Sequence, residues 1–187
     1  MIIVYGGTFN PPTIAHQLIA SKVIEDFKPE KFILLPVGEN YPWKSFYVPF
    51  KKRFEMLKLA FKDEIYEVST LENKKVYKGT YYALKRIEKT YKNSVYFLLG
   101  ADNLSYLEKW INYELLIKEF RFIVIKRKGF NLDEIMKKYH PYEENFNVIE
   151  MDLDISSSLF REEPEKNKHF IPNDVLKYVK EHKLYEV

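Results

Sequence analysis

The chain reads as an α/β protein, with a doubly wound, mostly parallel sheet and helices on both faces. Three observations carry this. The apolar runs at 2–5, 32–36, 95–99 and 122–125 are continuous rather than alternating, as strands buried on both faces are. Segments of helical spacing lie between them, so strand and helix alternate, an order that yields parallel strands joined by right-handed crossovers. Gly6, Gly7, Gly38, Gly100 and Gly129 each fall just after a predicted strand, where open α/β sheets place their ligands, and only Gly79 does not.

The first strand runs into Gly6-Gly7-Thr8-Phe9-Asn10-Pro11-Pro12-Thr13-Ile14-Ala15-His16. Adjacent glycines free the backbone for positive φ and close ligand approach, Pro11-Pro12 ends the strand, and Thr13 is a suitable helix N-cap. His16 then sits in the first helical turn, beside unpaired N–H groups that attract anions such as phosphate. Ala15, Leu18, Ile19 and Val23 form one apolar helix face, which completes a βαβ unit with run 32–36. A second helical pattern has Phe54, Leu57, Lys58 and Phe61 on one side; Lys51-Lys52-Arg53 reads as its solvated start, with no catalytic role. A weaker strand at 65–68 follows, then a helix at 81–91. A fourth helix is expected from Asp102 through Leu104 and Leu107 to Leu115-Leu116. Segment 131–150 reads as helix, a break at Pro141, and a short last strand at 147–150. Residues 164–169 form a polar loop, and Pro172 starts a terminal helix with the stripe Val175, Tyr178, Val179 and His182.

At 187 residues the chain is expected to be one domain, with 152–187 as a C-terminal phosphate-binding turn and helical extension. With no cysteine there is no thiolate nucleophile and no Cys-based zinc site, and the four histidines show no H-x-x-x-H pair, so no metal site is assigned. Neither a signal peptide nor a spanning segment is recognisable, which leads to the expectation of a soluble, cytoplasmic protein without a membrane partner. A net charge of +3 from 30 basic and 27 acidic residues is too balanced to make nucleic acid the main partner, and suits a small anionic ligand. Homo-oligomerisation is left open. Neither G-x-x-x-x-G-K-[ST] nor G-x-G-x-x-G occurs, which disfavours a P-loop NTPase and an ordinary NAD-dependent dehydrogenase.

Two further stretches can carry chemistry. Ile155-Ser156-Ser157-Ser158-Leu159-Phe160-Arg161 places hydroxyls at a helix start with an Arg one turn on, an arrangement suited to phosphate oxygens. Gly100-Ala101-Asp102-Asn103-Leu104 leads to Trp110; Asp102 after a strand can accept hydroxyl hydrogen bonds from ribose, and Trp110 offers a flat face to a pyridine ring.

These stretches carry a resemblance. GGTFNPPTIAH resembles the GxFxPx(H/T)xxH signature of the nucleotidyltransferase superfamily, in its Thr form at Thr13. ISSSLFR is similar to the ISSTxxR signature that accompanies it in adenylyltransferases. GADNLSYLEKW resembles the GxDxLxxLxxW block of bacterial nicotinate-mononucleotide adenylyltransferases, and Ile171-Pro172 through Tyr185 resembles the VPxxVxxYIxxxxLY with which they close. The resemblance covers most of the chain. It implies a Rossmann-like fold and transfer of AMP from ATP to nicotinate mononucleotide, giving deamido-NAD and pyrophosphate, with Mg²⁺ accompanying the ATP.

Carried over position by position, the resemblance implies catalytic roles for His16, Lys44 and Arg161. It implies ATP contacts from Gly6, Gly7, Thr8, Phe9, Thr13 and His16, from Gly100 and Asp102, and from Ile155, Ser156, Ser157, Ser158 and Arg161. It implies acceptor contacts from Asn10, Lys44, Thr80, Tyr81 and Trp110. Trp43 stands where a His is frequent in the Pro-x-Lys loop, and Asn10 and Thr13 match forms that accept nicotinamide mononucleotide. Thr80-Tyr81-Tyr82 follows the SYT-type segment near the nicotinate carboxylate only loosely. Rival readings are a nicotinamide-mononucleotide or phosphopantetheine adenylyltransferase, a sugar- or glycerol-phosphate cytidylyltransferase, and a non-catalytic nucleotide sensor on the same fold.

Overall fold

In the computed structural model, which describes residues 1–42, 48–127 and 130–187, six strands form one sheet. They are β1 (Ile2–Gly7), β2 (Lys31–Pro36), β3 (Tyr66–Val68), β4 (Val95–Gly100), β5 (Arg121–Arg127) and β6 (Phe146–Met151). Their order is β3-β2-β1-β4-β5-β6 and every neighbouring pair is parallel. The chain winds outward one way from β1 and then the other way from β4, so the two strands diverge in their connections and open a crevice at their C-terminal ends. This is the doubly wound α/β architecture that the continuous apolar runs require.

Alternation along β1 divides the interior. Ile2 and Val4 face one core with Leu84 and Ile87 of α3 (Thr80–Tyr91) and Leu116 of α5 (Tyr113–Glu119). Ile3 and Tyr5 face the other, with Val23 of α1 (Ile14–Phe27), Leu57 of α2 (Phe50–Ala60) and Val175 of α8 (Asn173–Glu181). Burial on both faces is what removes the polar half of the strand pattern. Among the described residues no helix is long and apolar enough to cross a membrane.

The structure departs from the sequence reading at four places. The fourth helix is not one element: α4 (Ala101–Leu104) and a 3₁₀ turn at Leu107–Lys109 precede α5, with Asn112 between them in the left-handed region at φ 57°. Leu107 and Leu116 are both fully buried. In one continuous helix they would lie about two and a half turns apart, on opposite faces, so only a break lets both reach the core. On α2 the buried face is Phe50, Arg53, Met56, Leu57 and Ala60, whereas Lys58 is exposed and Phe54 only half-buried. Arg53 is thus an interior residue and not part of a solvated start. Gly6 and Gly7 do not take positive φ; Phe9 does, at 48°. The two glycines serve close approach instead, because a Cβ on Gly6 would stand 2.5 Å from the Phe97 ring. On the terminal helix Val175 and Val179 are buried, while His182 is exposed. The expected β6, the break near Pro141 and the loop before α8 are present, the loop closing in a 3₁₀ turn at Lys168–Phe170. Trp43, Lys44 and Gly129 lie outside the described residues.

Gly38, just beyond β2, packs against the loop that precedes α3. A Cβ there would lie 2.2 Å from the Glu72 carbonyl oxygen and 2.8 Å from the Asn73 Cα, both backbone atoms. Gly38→Ala should therefore destabilise the fold by about 2 kcal/mol through overpacking. Urea unfolding of the two proteins measures it; an unchanged midpoint would show that the 72–73 backbone moves freely.

Candidate active site

A cleft of about 780 Å³ opens at the C-terminal ends of β1, β4 and β5. Gly6, Gly7, Thr8, Thr13 and His16 line one side, Gly100, Asp102 and Asn103 the floor, and Ile155, Ser156, Ser157, Ser158 and Arg161 the other side. Three stretches far apart in sequence thereby meet around one space.

His16 is positioned by its own helix start. The Thr13 backbone N–H donates to His16 Nδ1 at 2.9 Å, and the Thr13 hydroxyl lies 2.8 Å from the same nitrogen. With Nδ1 accepting, the neutral ring carries its proton on Nε2. Tyr5 and Phe9 pack against the ring, with centroids at 5.9 and 5.1 Å. Burial, and then the Arg127 guanidinium, push the imidazole down to about 4, against an upward pull from the Thr13 backbone. His16 is accordingly a neutral hydrogen-bond donor at physiological pH. Phe9, whose backbone the resemblance sets against the nucleotide, is 1% exposed and keeps its side chain off the cleft lining. Its side chain supports Tyr5 and His16, and its backbone makes the turn.

The two signature turns are hydrogen-bonded to each other. Arg161 donates from Nη1 to the Asn10 carbonyl at 2.7 Å and from Nη2 to Ser158 Oγ at 3.2 Å. Ser157 Oγ donates to the Pro11 carbonyl at 2.7 Å. Ser156 caps α7 (Ser157–Glu162) by accepting from the Leu159 N–H at 3.1 Å. The Tyr185 hydroxyl donates to the Asn10 side-chain oxygen. Asn10, expected at the acceptor, is thus 7% exposed and committed by its side chain to the C-terminal segment. Its amide oxygen ties the turn to the C-terminal segment, while the residue still lines the cleft.

Two arginines outside the signatures belong to the site. Arg53 has no exposed surface, yet its Nη1 donates to the Thr8 carbonyl and its Nη2 to the Val37 carbonyl, both at 2.8 Å, and its Nε to the Val48 carbonyl at 3.2 Å. One guanidinium therefore ties the phosphate-side turn to the end of β2 and the start of α2. The available signal was helical spacing: Phe50, Arg53, Leu57 and Ala60 share one face, and a charge on such a face needs partners inside. Arg127, the last residue of β5, lines the same cleft as His16. The basic run at 126–128 directly after an apolar strand was its signal.

A second, smaller cavity of about 40 Å³ adjoins the Gly6-Gly7-Thr8 side of the cleft. Trp110, Thr80, Glu72, Tyr41 and Asn103 line it, over a floor of Leu99 and Phe97. Trp110 meets Phe97 edge to face at 6.0 Å. Thr80 and Trp110, both expected at the acceptor, are therefore brought together. Tyr81 is not: its ring packs on Phe120 and its hydroxyl donates to Glu119 at 3.0 Å, on the far side of α3. Adjacent residues at a helix start point about 100° apart, so Thr80 and Tyr81 cannot share a small cavity. Lys44 lies outside the described residues. Glu72 was not singled out from the sequence. Its burial at 5% exposure raises the carboxyl to about 7, although the Thr80 hydroxyl, donating to Oε1 at 2.8 Å, opposes the shift.

Backbone N–H groups, hydroxyls, a neutral imidazole and two guanidinium groups around one deep cleft make a site for phosphates, and no group in it is poised as a nucleophile. Among the described residues no group of three or more His, Asp or Glu side chains could hold a metal ion, and Asp102 is the one carboxylate on the cleft wall. Fold and site together define a nucleotidyltransferase. A model of the cytidylyltransferase-like family matches residues 4–163. A curated relative from Acholeplasma laidlawii, named "Probable nicotinate-nucleotide adenylyltransferase", is 38% identical over 100% of this chain and 98% of its own. One of the same name from Aliarcobacter butzleri is 33% identical over 93% and 92%. The Plasmodium falciparum nicotinic acid mononucleotide adenylyltransferase complexed with NaAD superposes with a TM-score of 0.81 at 26% identity, covering 99% of this chain and 97% of that one. The chain belongs to the cytidylyltransferase-like family and, within it, to the nicotinate-nucleotide adenylyltransferases.

Two predictions follow from this geometry. Arg53→Met keeps the bulk but leaves the Thr8, Val37 and Val48 carbonyls without this donor, so stability should fall by about 3 kcal/mol in urea unfolding. ATP affinity should weaken with it, because Thr8 is no longer held. For His16 the folded value of about 4 lies below the ordinary 6.5. Its contribution to stability is therefore complete above about pH 6.5 and is lost as pH falls toward 4. The acid side of the stability curve should be shallower in His16→Gln; curves of equal slope would refute the buried neutral assignment.

Proposed function

We propose that this protein transfers AMP from ATP to nicotinate mononucleotide, forming deamido-NAD and releasing pyrophosphate for NAD biosynthesis in the cytoplasm. One observation carries the reading: the GGTFNPPTIAH and ISSSLFR turns, far apart in sequence, are hydrogen-bonded to each other around one nucleotide-sized cleft. The acceptor's phosphate oxygen attacks the α-phosphorus of ATP, and as that P–O bond forms the bond to the β-phosphate oxygen breaks. The triphosphate lies between the His16 turn and the Ser156 to Arg161 turn. His16 Nε2–H donates to a phosphoryl oxygen as charge builds, while Arg161 and Arg127 neutralise the leaving pyrophosphate. A neutral donor suits this step: Nε2–H can stabilise charge on a phosphoryl oxygen without transferring its proton. Gly100 and Asp102 face the nucleoside, with Asp102 accepting from ribose hydroxyls. Thr80 and Trp110 hold the acceptor's pyridine end. Lys44 is proposed as a clamp on the phosphates.

The cleft fits a magnesium ion carried by the triphosphate and by water rather than by a carboxylate cage, and when bound it would offset phosphate charge. Positioning two polyanions and offsetting their charge is most of what the reaction asks.

The test is pyrophosphate release from ATP with nicotinate mononucleotide, nicotinamide mononucleotide and phosphopantetheine offered separately. Turnover with a pyridine mononucleotide and not with phosphopantetheine is expected. His16→Ala should lower kcat roughly a hundredfold or more. Near-normal turnover in that variant would overturn the role given to His16.

A further inference from the structure

Glu72 is the one buried carboxyl of the acceptor-side cavity, and the proposed reaction leaves it without a task. It lines the small cavity with Thr80 and Trp110, and also the wider pocket outside it that Lys74, Lys75, Lys78 and Arg86 surround. Its place is fixed on two sides. The Glu72 backbone packs against Gly38 just beyond β2, and Oε1 accepts from the Thr80 hydroxyl at 2.8 Å at the start of α3. Among the described residues Oε1 alone of its two oxygens accepts a hydrogen bond. The cavity has about 40 Å³, room for the substituent of an aromatic ring rather than for a whole ring.

Resting on the proposed function above, we infer that Glu72 determines acceptor specificity by meeting the substituent on the pyridine ring. Protonated, its carboxyl donates to the carboxylate of nicotinate mononucleotide; ionised, it repels that carboxylate, whereas in either state one of its oxygens accepts from the NH₂ of nicotinamide mononucleotide. The two acceptors differ in little else, so one proton on one side chain selects between them. Two carboxylates cannot share this cavity while both are charged, because each would be desolvated beside a like charge. Burial supports the switch by raising the Glu72 carboxyl to about 7. Among the described residues the groups that face it are hydroxyls: Thr80 from α3, Tyr77 from the preceding loop and Tyr41 from the loop after β2. Burial pushes Tyr41 up to about 12 and Tyr77 higher, so neither is charged where Glu72 titrates. Lys74, Lys75, Lys78 and Arg86 surround it only across the outer pocket.

The experiment measures kcat/KM for nicotinate mononucleotide and for nicotinamide mononucleotide, at fixed ATP and magnesium, between about pH 6 and about pH 8.5. The phosphate ionisation common to both acceptors cancels in the ratio. In the wild type the acid-to-amide ratio should fall, approaching about tenfold per pH unit above neutrality. Glu72→Gln keeps an oxygen for the Thr80 hydroxyl and should make the ratio independent of pH. Thr80→Val removes the hydrogen bond that favours the charged form, so the midpoint of the ratio should move to higher pH; this arm decides the matter should Glu72→Gln not fold. A flat ratio in the wild type, a slope that survives in Glu72→Gln, or an unmoved midpoint in Thr80→Val would each overturn the inference. No turnover of either acceptor by the wild type at any pH would overturn the proposed function itself and this inference with it.

Discussion

Everything in the site depends on how Asn10 and Pro11 are held. Asn10 accepts from Arg161 on its carbonyl and from Tyr185 on its side chain, partners 151 and 175 positions away in sequence, and Pro11 accepts from Ser157. The turn between β1 and α1 is thus fixed by the last quarter of the chain. Without those contacts His16 would still cap its own helix, but the opposite wall of the cleft would have no defined distance from it. Such long-range bonds close large loops, and their entropic cost is met by burial beneath them of Phe160, Val175 and Val179.

The electrostatics of the cleft divide between fixed positive charge and a neutral donor. Arg127 and Arg161 line it as exposed guanidiniums, whereas Arg53 is sealed behind it and spends its charge on backbone carbonyls. The positive wall itself helps to keep His16 uncharged, since Arg127 is the second cause of its depressed value. A site built for phosphates therefore reinforces what burial already imposes on its histidine. On the acceptor side the field is different, with hydroxyls, aromatic rings and one buried carboxyl, so recognition there rests on hydrogen-bond direction more than on net charge.

Much of the fold was legible along the chain because double burial leaves an unmistakable local record. The runs at 2–5, 32–36, 95–99 and 122–125 all lie inside β1, β2, β4 and β5, since an inner parallel strand has no solvent face to break its apolar run. The edge strand β3 gave a weaker signal because it is short and half-exposed. The helix after Asp102 was misread because leucines at helical spacing say which residues are buried but not whether one axis serves them all. The glycine turn was legible as a close approach, yet its left-handed residue proved to be Phe9, a conformation the surrounding packing imposes on a residue that does not favour it.

By itself the sequence determined the doubly wound order, the three signature stretches and the phosphate-directed character of the site, because each is written in neighbouring residues or in a simple period. Tertiary structure alone decided what the remaining polar groups do. Arg53 looks solvated beside two lysines until three carbonyls from separate segments converge on it. Asn10 stands beside the cleft in sequence, but only the fold brings the Tyr185 hydroxyl to its side-chain oxygen. Tyr81 and Thr80 look equivalent until the helix turns one toward Phe120 and the other toward Glu72. The physical reason is common to all three. An apolar residue announces burial by its own chemistry, whereas a polar one takes its role from partners that only the folded chain brings within hydrogen-bond reach.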